Sequence, residues 1–312
     1  MNATSPSRLA RLARTLCTLL LAAGLWSLPS RMNAQLYVGQ DSDATVGKFD
    51  SATGTAINTT FITGLSGPIG LALSGNTFFV ASYDGSTVGQ YNATTGAAIN
   101  PGFITTGLSG PVQLALSGNN LFVANLDGNT VGVFDATSGA AIHASLITGL
   151  SSPVGLALSG NILFVANQGS NTIDEYDAST GAAIQTSFIT GLNGPASLVL
   201  SGNNLFVANM GGSTVGEYNA TTGTAINASF ITGLTSPQGL ALLGNNLYVT
   251  NRGTTNTVGE YDATNGTAIN ASLVTGLSHP ASLAVAVPEP GSATLALLGG
   301  LGLFVHRRRP QA

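Results

Sequence analysis

The chain has 312 residues with 9 Lys and Arg against 13 Asp and Glu, and only 7% of its residues are charged, against roughly 25% in an ordinary soluble domain. It also has 41 glycines and 44% apolar residues. That mixture excludes a disordered chain, which is poor in apolar residues and rich in charge, and a coiled coil, which needs charged heptads. Seven of the nine basic residues lie at the two ends, so the stretch 36–287 sets Lys48 and Arg252 against twelve acids, a balance of −10, and cannot form the basic stripe that nucleic acid requires.

In chain order, the first feature is a basic region, Arg8, Arg11 and Arg14, followed by an apolar run from about Thr15 to Leu28 and small residues up to a cleavage point near Ala34. This is the layout of a secretory signal peptide over 1–34, and it predicts export through a signal helix. The only cysteine, Cys17, lies inside the apolar run with no lipobox around it. After cleavage the expected mature protein has no disulfide, no thiolate nucleophile and no cysteine-based metal site.

The middle of the chain is one unit written six times. The proline that opens each unit falls at Pro68, Pro111, Pro153, Pro195, Pro237 and Pro280, at spacings of 42 or 43 residues. One unit reads Pro153-Val154-Gly155-Leu156-Ala157-Leu158, then Leu163-Phe164-Val165-Ala166-Asn167, then Thr172 to Asp177, then Ala183 to Thr190. Four short strands, A to D, are predicted, joined by Ser-Gly-Asn, by Asp-Gly or Gly-Ser, and by Asn/Asp-Ala-Thr-Thr-Gly. These connections supply the Gly and Asn that positive φ requires. Apolar residues alternate within the strands, which predicts one buried face per sheet.

Four strands in about 40 residues is the arithmetic of a β-propeller blade. A stacked solenoid is the alternative, but the unit shows no internal halving. The first unit starts at Leu36-Tyr37-Val38, in phase with strand B, and the last stops after Pro280–Val287, in phase with strand A. The two ends are therefore expected to share one blade of a six-bladed ring over 36–287, which removes an open edge. These residues resemble the NHL-type propeller family, whose repeat runs Pro-x-Gly-hydrophobic-x-hydrophobic, Leu-Phe-Val-Ala-Asn-x-Gly and Val-x-x-Tyr/Phe-Asp. The resemblance covers all six units, although Val133 and Gln90 stand where many NHL units carry charge. It implies the fold far more than a function, because related propellers include scaffolds, binders, lyases and lactonases.

The chain closes with Pro288-Glu289-Pro290, an apolar stretch from Ala293 to Val305, and Arg307, Arg308 and Arg309. The apolar stretch alone is short of the roughly 20 residues that span a bilayer, but with its flanks it is expected to form a transmembrane helix stopped by the arginines. A plain anchor helix is the alternative. The order Pro-Glu-Pro, apolar helix, Arg cluster over 288–312 resembles the PEP-CTERM sorting signal. That resemblance implies processing by an exosortase-type membrane protease and release to the cell surface or extracellular matrix of a Gram-negative bacterium that makes exopolysaccharide.

Where the repeats disagree, a surface is a candidate for binding. The A–B and C–D turns are nearly one text, whereas one B–C position reads Asp41, Tyr83, Leu126, Gln168, Met210 and Arg252 in the six units. The two single-residue insertions, at Thr105/Thr106 and within Arg252–Asn256, fall on that same face. His279, which replaces Ser or Gly before the repeat proline, joins it as a candidate. Asp41, Asp43, Asp84 and Asp127 on consecutive blades are weak candidates for Ca²⁺, with ordinary Asp-Gly turns as the plainer account. Asn125, Asn167, Asn209 and Asn251 end strand B and are expected to bond their own backbone. His143 is expected on an exposed edge, and Glu175, Glu217 and Glu260 in strand C away from the channel. No nucleophile elbow, HExxH or phosphate loop occurs, so no catalytic residue and no cofactor is assigned. The expectation is a non-catalytic binding or structural module, with exopolysaccharide or a surface protein as partner. A metal-dependent lyase or lactonase of the propeller type is the alternative.

Overall fold

The structure, a computed structural model, describes residues 34–287. The rest of the expected leader, and the tail with Pro288, Glu289, Pro290, Arg307, Arg308 and Arg309, lie outside the described residues.

Strands β1 (Gln35–Gln40), β2 (Thr45–Asp50) and β3 (Ala56–Ile62) open the chain. Blade 2 follows as β4 (Pro68–Ser74), β5 (Thr77–Ser82), β6 (Thr87–Asn92) and β7 (Ala98–Ile104). Blade 3 is β8 (Pro111–Ser117), β9 (Asn120–Asn125), β10 (Thr130–Asp135) and β11 (Ala141–Ile147). Blade 4 is β12 (Pro153–Ser159), β13 (Ile162–Asn167), β14 (Thr172–Asp177) and β15 (Ala183–Ile189). Blade 5 is β16 (Pro195–Ser201), β17 (Asn204–Asn209), β18 (Thr214–Asn219) and β19 (Ala225–Ile231). Blade 6 is β20 (Pro237–Leu243), β21 (Asn246–Asn251), β22 (Thr257–Asp262) and β23 (Ala268–Val274), and β24 (Pro280–Ala286) ends the series. Six four-stranded sheets result, and one of them has the order β24-β1-β2-β3. The missing inner strand of blade 1 is thus supplied from the other end of the chain, as the phase of the repeat predicts.

The closure is an antiparallel ladder running from Gln35↔Ala286 to Gln40↔Pro280. The inner strands β4, β8, β12, β16, β20 and β24 touch in turn, and β24 returns to β4. The residues form a closed ring of six blades, all-β throughout the described part. Ala34–Ala286 makes one compact unit.

Burial corrects one expectation. Both faces of each sheet are covered, not one, because every blade is sandwiched between two others. In β13, Phe164 and Ala166 face blade 5, where they pack with Leu205, Val207 and Tyr218. Leu163 and Val165 on the same strand face blade 3 and pack with Phe122, Ala124 and Val131. A strand buried on both sides reads as a continuous apolar run, which is why Leu-Phe-Val-Ala is unbroken. Each fully buried aromatic or aliphatic side chain here stabilises the ring by roughly 1.5–3 kcal/mol. The outer strands differ: their first five residues are exposed, apart from half-buried Ala144 in β11, and each presents one isoleucine about half exposed to solvent, from Ile57 to Ile269.

The turns explain the monotony of one face. In five of the six C–D turns the opening Asp or Asn accepts the N–H groups two and three residues on, as Asp177 Oδ1 does from Ser179 and Thr180 at 3.0 and 2.8 Å. These bonds and the Ser179 and Thr180 hydroxyls hold the Asp177 carboxyl down at about 2. The next residue ties the turn to the A–B turn beside it, as Ala178 N–H donates to Asn161 O at 2.8 Å. The fifth residue is glycine, and at Gly96 (φ 76°) an added Cβ would lie 2.0 Å from the Phe61 carbonyl oxygen of the adjacent blade.

Candidate ligand-binding cavity

The opposite face is built on a different device, repeated six times. The residue before each inner-strand proline has positive φ: Gly67, Gly110 and Gly194 in three blades, and Ser152, Ser236 and His279 in the others. Its carbonyl accepts the N–H of the first B–C residue, so that Tyr83, Leu126, Gln168, Met210, Arg252 and Asp41 are all pinned in the same way, at 2.8–3.2 Å. The backbone N–H at these six positions is therefore anchored in the same way, while the side chains differ.

A second device lies one residue further along. Pro68 pairs with Ser82 but Gly70 pairs with Ala81, so Ile69 is an extra residue in the ladder. Val112, Val154, Ala196 and Ala281 are extra in the same way in their blades. A bulge of this kind turns a side chain out of the ladder. Here the bulged residues, with Gln238 of blade 6, line the same cavity as the B–C residues. Its volume is about 350 Å³, and all six variable residues line it. Sequence reasoning missed the bulged positions, although their variety directly after an invariant proline was a readable signal.

The cavity is asymmetric in charge and polarity. Across the seam between blades 6 and 1 the Arg252 guanidinium is paired with Asp41, both side chains partly exposed, and Arg252 Nη1 donates to Gln238 Oε1 at 3.4 Å. On the other side, Tyr83 donates its hydroxyl to Asp127 Oδ1 at 3.1 Å. That bond, together with desolvation and the negative charges of Asp127 and Asp84, raises the Tyr83 hydroxyl above its ordinary value. The rest of the wall is mixed: Ile69, Val112, Leu126 and Val154 make an aliphatic stretch, and Gln113, Gln168 and Met210 also line it.

The remaining candidates fall elsewhere. His279 stands at the rim, where its Nδ1 is hydrogen-bonded to Ser42 Oγ and its carbonyl holds Asp41. Asp43 lines a separate groove between blades 6 and 1, with Gln40, Thr59 and Leu273. Asp41, Asp43, Asp84 and Asp127 are therefore not gathered as one ligand set. Among the described residues no group of three or more His, Cys, Asp or Glu is placed to hold a metal ion. The strand-B asparagines bond less locally than expected: Asn125, Asn167 and Asn251 accept the N–H of Ser109, Ser151 and Thr235 in the D–A link at 3.2–3.3 Å. In blade 1 the longer Gln40 does the same for Ser278 at 3.2 Å, across the closure.

Glu175, Glu217 and Glu260 are buried in strand C, outside the cavity. Glu217 and Glu260 accept the side-chain amides of Asn204 and Asn246 at 2.6 Å. Beside Glu175 that position is Ile162, and burial raises its carboxyl above the ordinary Glu range. The ionised folded form is thus penalised. The penalty is absent below the ordinary Glu pKa, where folded and unfolded chains are both protonated, and is complete once pH exceeds the raised value. Glu175→Gln is expected to raise Tm by roughly 2–4 °C near neutral pH and to lose this advantage near pH 3. Calorimetric melts at the two pH values measure it, and a lower neutral Tm contradicts the account.

Fold and site together define a six-bladed β-propeller with a ligand-sized cavity on its variable face. No known protein family matches the chain, and no curated protein matches it. Among solved structures, it is similar to a chain from the crystal structure of a nidogen/laminin complex, with 17% identity and a TM-score of 0.71, covering 81% of this chain and 98% of that one. A computationally designed protein, Ika8, covers 76% of this chain at 18% identity and a TM-score of 0.44.

Proposed function

We propose that this chain is an exported, non-catalytic binding module of the cell surface or extracellular matrix, an NHL-like propeller delivered by a PEP-CTERM-type tail and an exosortase-type protease. One observation carries the binding reading: six side chains that differ between otherwise near-identical blades, held by the same backbone bond, converge on one cavity. The acidic balance of the propeller favours partners that are neutral or cationic over polyanions. Neutral exopolysaccharide and surface proteins both fit that requirement. The low charge and the abundance of Thr, Asn and Gly support hydrogen bonding to such partners, and the nidogen/laminin structure is a precedent for a protein of this shape in a protein complex.

The test uses the full chain on arrays of neutral glycans and of peptides. For any ligand found, the triple variant Tyr83→Ala, Leu126→Ala, Arg252→Ala is expected to lose at least tenfold in affinity. Asn119→Ala on the opposite face is expected to leave it unchanged. Equal loss in both variants, or no loss in the triple variant, sinks the assignment of the binding face.

A further inference from the structure

On the reading that this cavity binds a ligand, we infer that its occupant is a Lys or Arg side chain presented on the loop of a partner protein. Three observations combine. The cavity, at about 350 Å³, lies at the small end of ligand pockets, which run from about 300 to 1,000 Å³, a size that one long side chain fills well.

Part of its wall is aliphatic. Ile69, Val112, Leu126 and Val154 give it an apolar stretch, Met210 adds an adaptable unbranched thioether, and the amides of Gln113 and Gln168 also line it. Three of its polar groups are already engaged with one another, Arg252 with Asp41 and with the amide of Gln238. A sugar hydroxyl laid against the aliphatic stretch stays unpaired, at a cost of about 1–3 kcal/mol, whereas a methylene chain there gains contact at no such cost.

Its charge is unbalanced. Of the carboxylates in and beside the cavity, Asp41 has the Arg252 guanidinium, whereas Asp84 and Asp127 flank the Tyr83 hydroxyl with no cation. Lys48, the one other basic residue among those described, is buried in blade 1 over the Phe61 ring, 4.8 Å from its centroid. An anion is repelled at this end, and a neutral apolar group gains nothing from it. A long cationic side chain satisfies both halves. Its methylene stem lies along the aliphatic wall, and its charged head reaches the Asp84–Asp127 end, where the face of Tyr83 adds a cation–π contact.

The chain itself supplies a local reporter, because its only methionines are Met1, Met32 and Met210. The full chain, labelled with ¹³C at the methionine methyls, is titrated with three cyclic peptides that differ only in carrying Lys, norleucine or Glu at the turn. The expected result is a Met210 methyl shift that saturates with the Lys peptide, at least tenfold weaker affinity for norleucine, no shift with Glu, and weaker Lys binding in higher salt. The double variant Asp84→Asn, Asp127→Asn is expected to bind the Lys peptide at least tenfold more weakly while keeping the Met210 resonance of the folded state. Equal affinity for norleucine and Lys, or an unaffected double variant, overturns the inference. A Met210 shift with a neutral dextran oligosaccharide but not with the Lys peptide overturns it too, yet upholds the cavity as a binding site. Silence of Met210 toward every probe overturns it and leaves the array experiment to decide the broader reading.

Discussion

Replacing residues 280–286 by a Gly-Ser segment of equal length is expected to abolish cooperative folding of the propeller. This segment is β24, the inner strand of blade 1, and it contributes the whole ladder from Gln35↔Ala286 to Gln40↔Pro280. Without it β1 becomes an open edge, and Leu36 and Val38, both fully buried, lose one wall of their packing with Leu283. Three such side chains partly returned to water, at roughly 1.5–3 kcal/mol for full exposure of each, already approach the 5–15 kcal/mol that holds a typical domain folded. The backbone bonds of the β24–β1 ladder are lost in addition. The inner ring also breaks, since β24 touches both β20 and β4. The expected readout is a broad, low-amplitude thermal transition by circular dichroism and association on size exclusion through the exposed edge. Excess synthetic peptide 279–287 is expected to restore part of the transition. An unchanged melting curve in the replaced chain disproves ring closure as the source of stability.

Gly96→Ala is expected to cost about 3 kcal/mol, or roughly 6–12 °C in Tm for a domain of this size. Two causes add at this position. The backbone is left-handed (φ 76°), where a Cβ is strained, and the new methyl would sit 2.0 Å from Phe61 O, a carbonyl of the adjacent blade that cannot rotate away. Gly75→Ala separates them. It has φ 54° with nothing within 4 Å of the added Cβ, so only the backbone strain remains, about 1 kcal/mol. The difference between the two variants in chemical or thermal unfolding isolates the blade-to-blade contact. Similar losses at both sites rule that contact out as a significant term.

The ring and its seam were legible because a repeat carries its own ruler. Leu36 falls in phase with strand B and Pro280 with strand A, so a shared blade follows from the phase alone. The variable face was legible for a related reason: five other blades act as the control for each residue, and Asp41, Tyr83, Leu126, Gln168, Met210 and Arg252 stand out against them. What was not legible depends on three-dimensional neighbours. Nothing in Pro-Ile-Gly or Pro-Val-Gln says that the central residue leaves the ladder as a bulge, since the slip appears only when the strand is paired. The pairing of Arg252 with Asp41 joins residues 211 apart in the chain, and it exists only once the ends have met. Burial on both sides of each sheet was hidden by the habit of reading strands as half-exposed. The neighbour that covers the second side is another copy of the same text.

The first pair of the closing ladder, Gln35 with Ala286, lies at the A–B end of blade 1, whereas the cavity opens among the B–C loops. The polypeptide therefore enters and leaves the ring side by side, through its back.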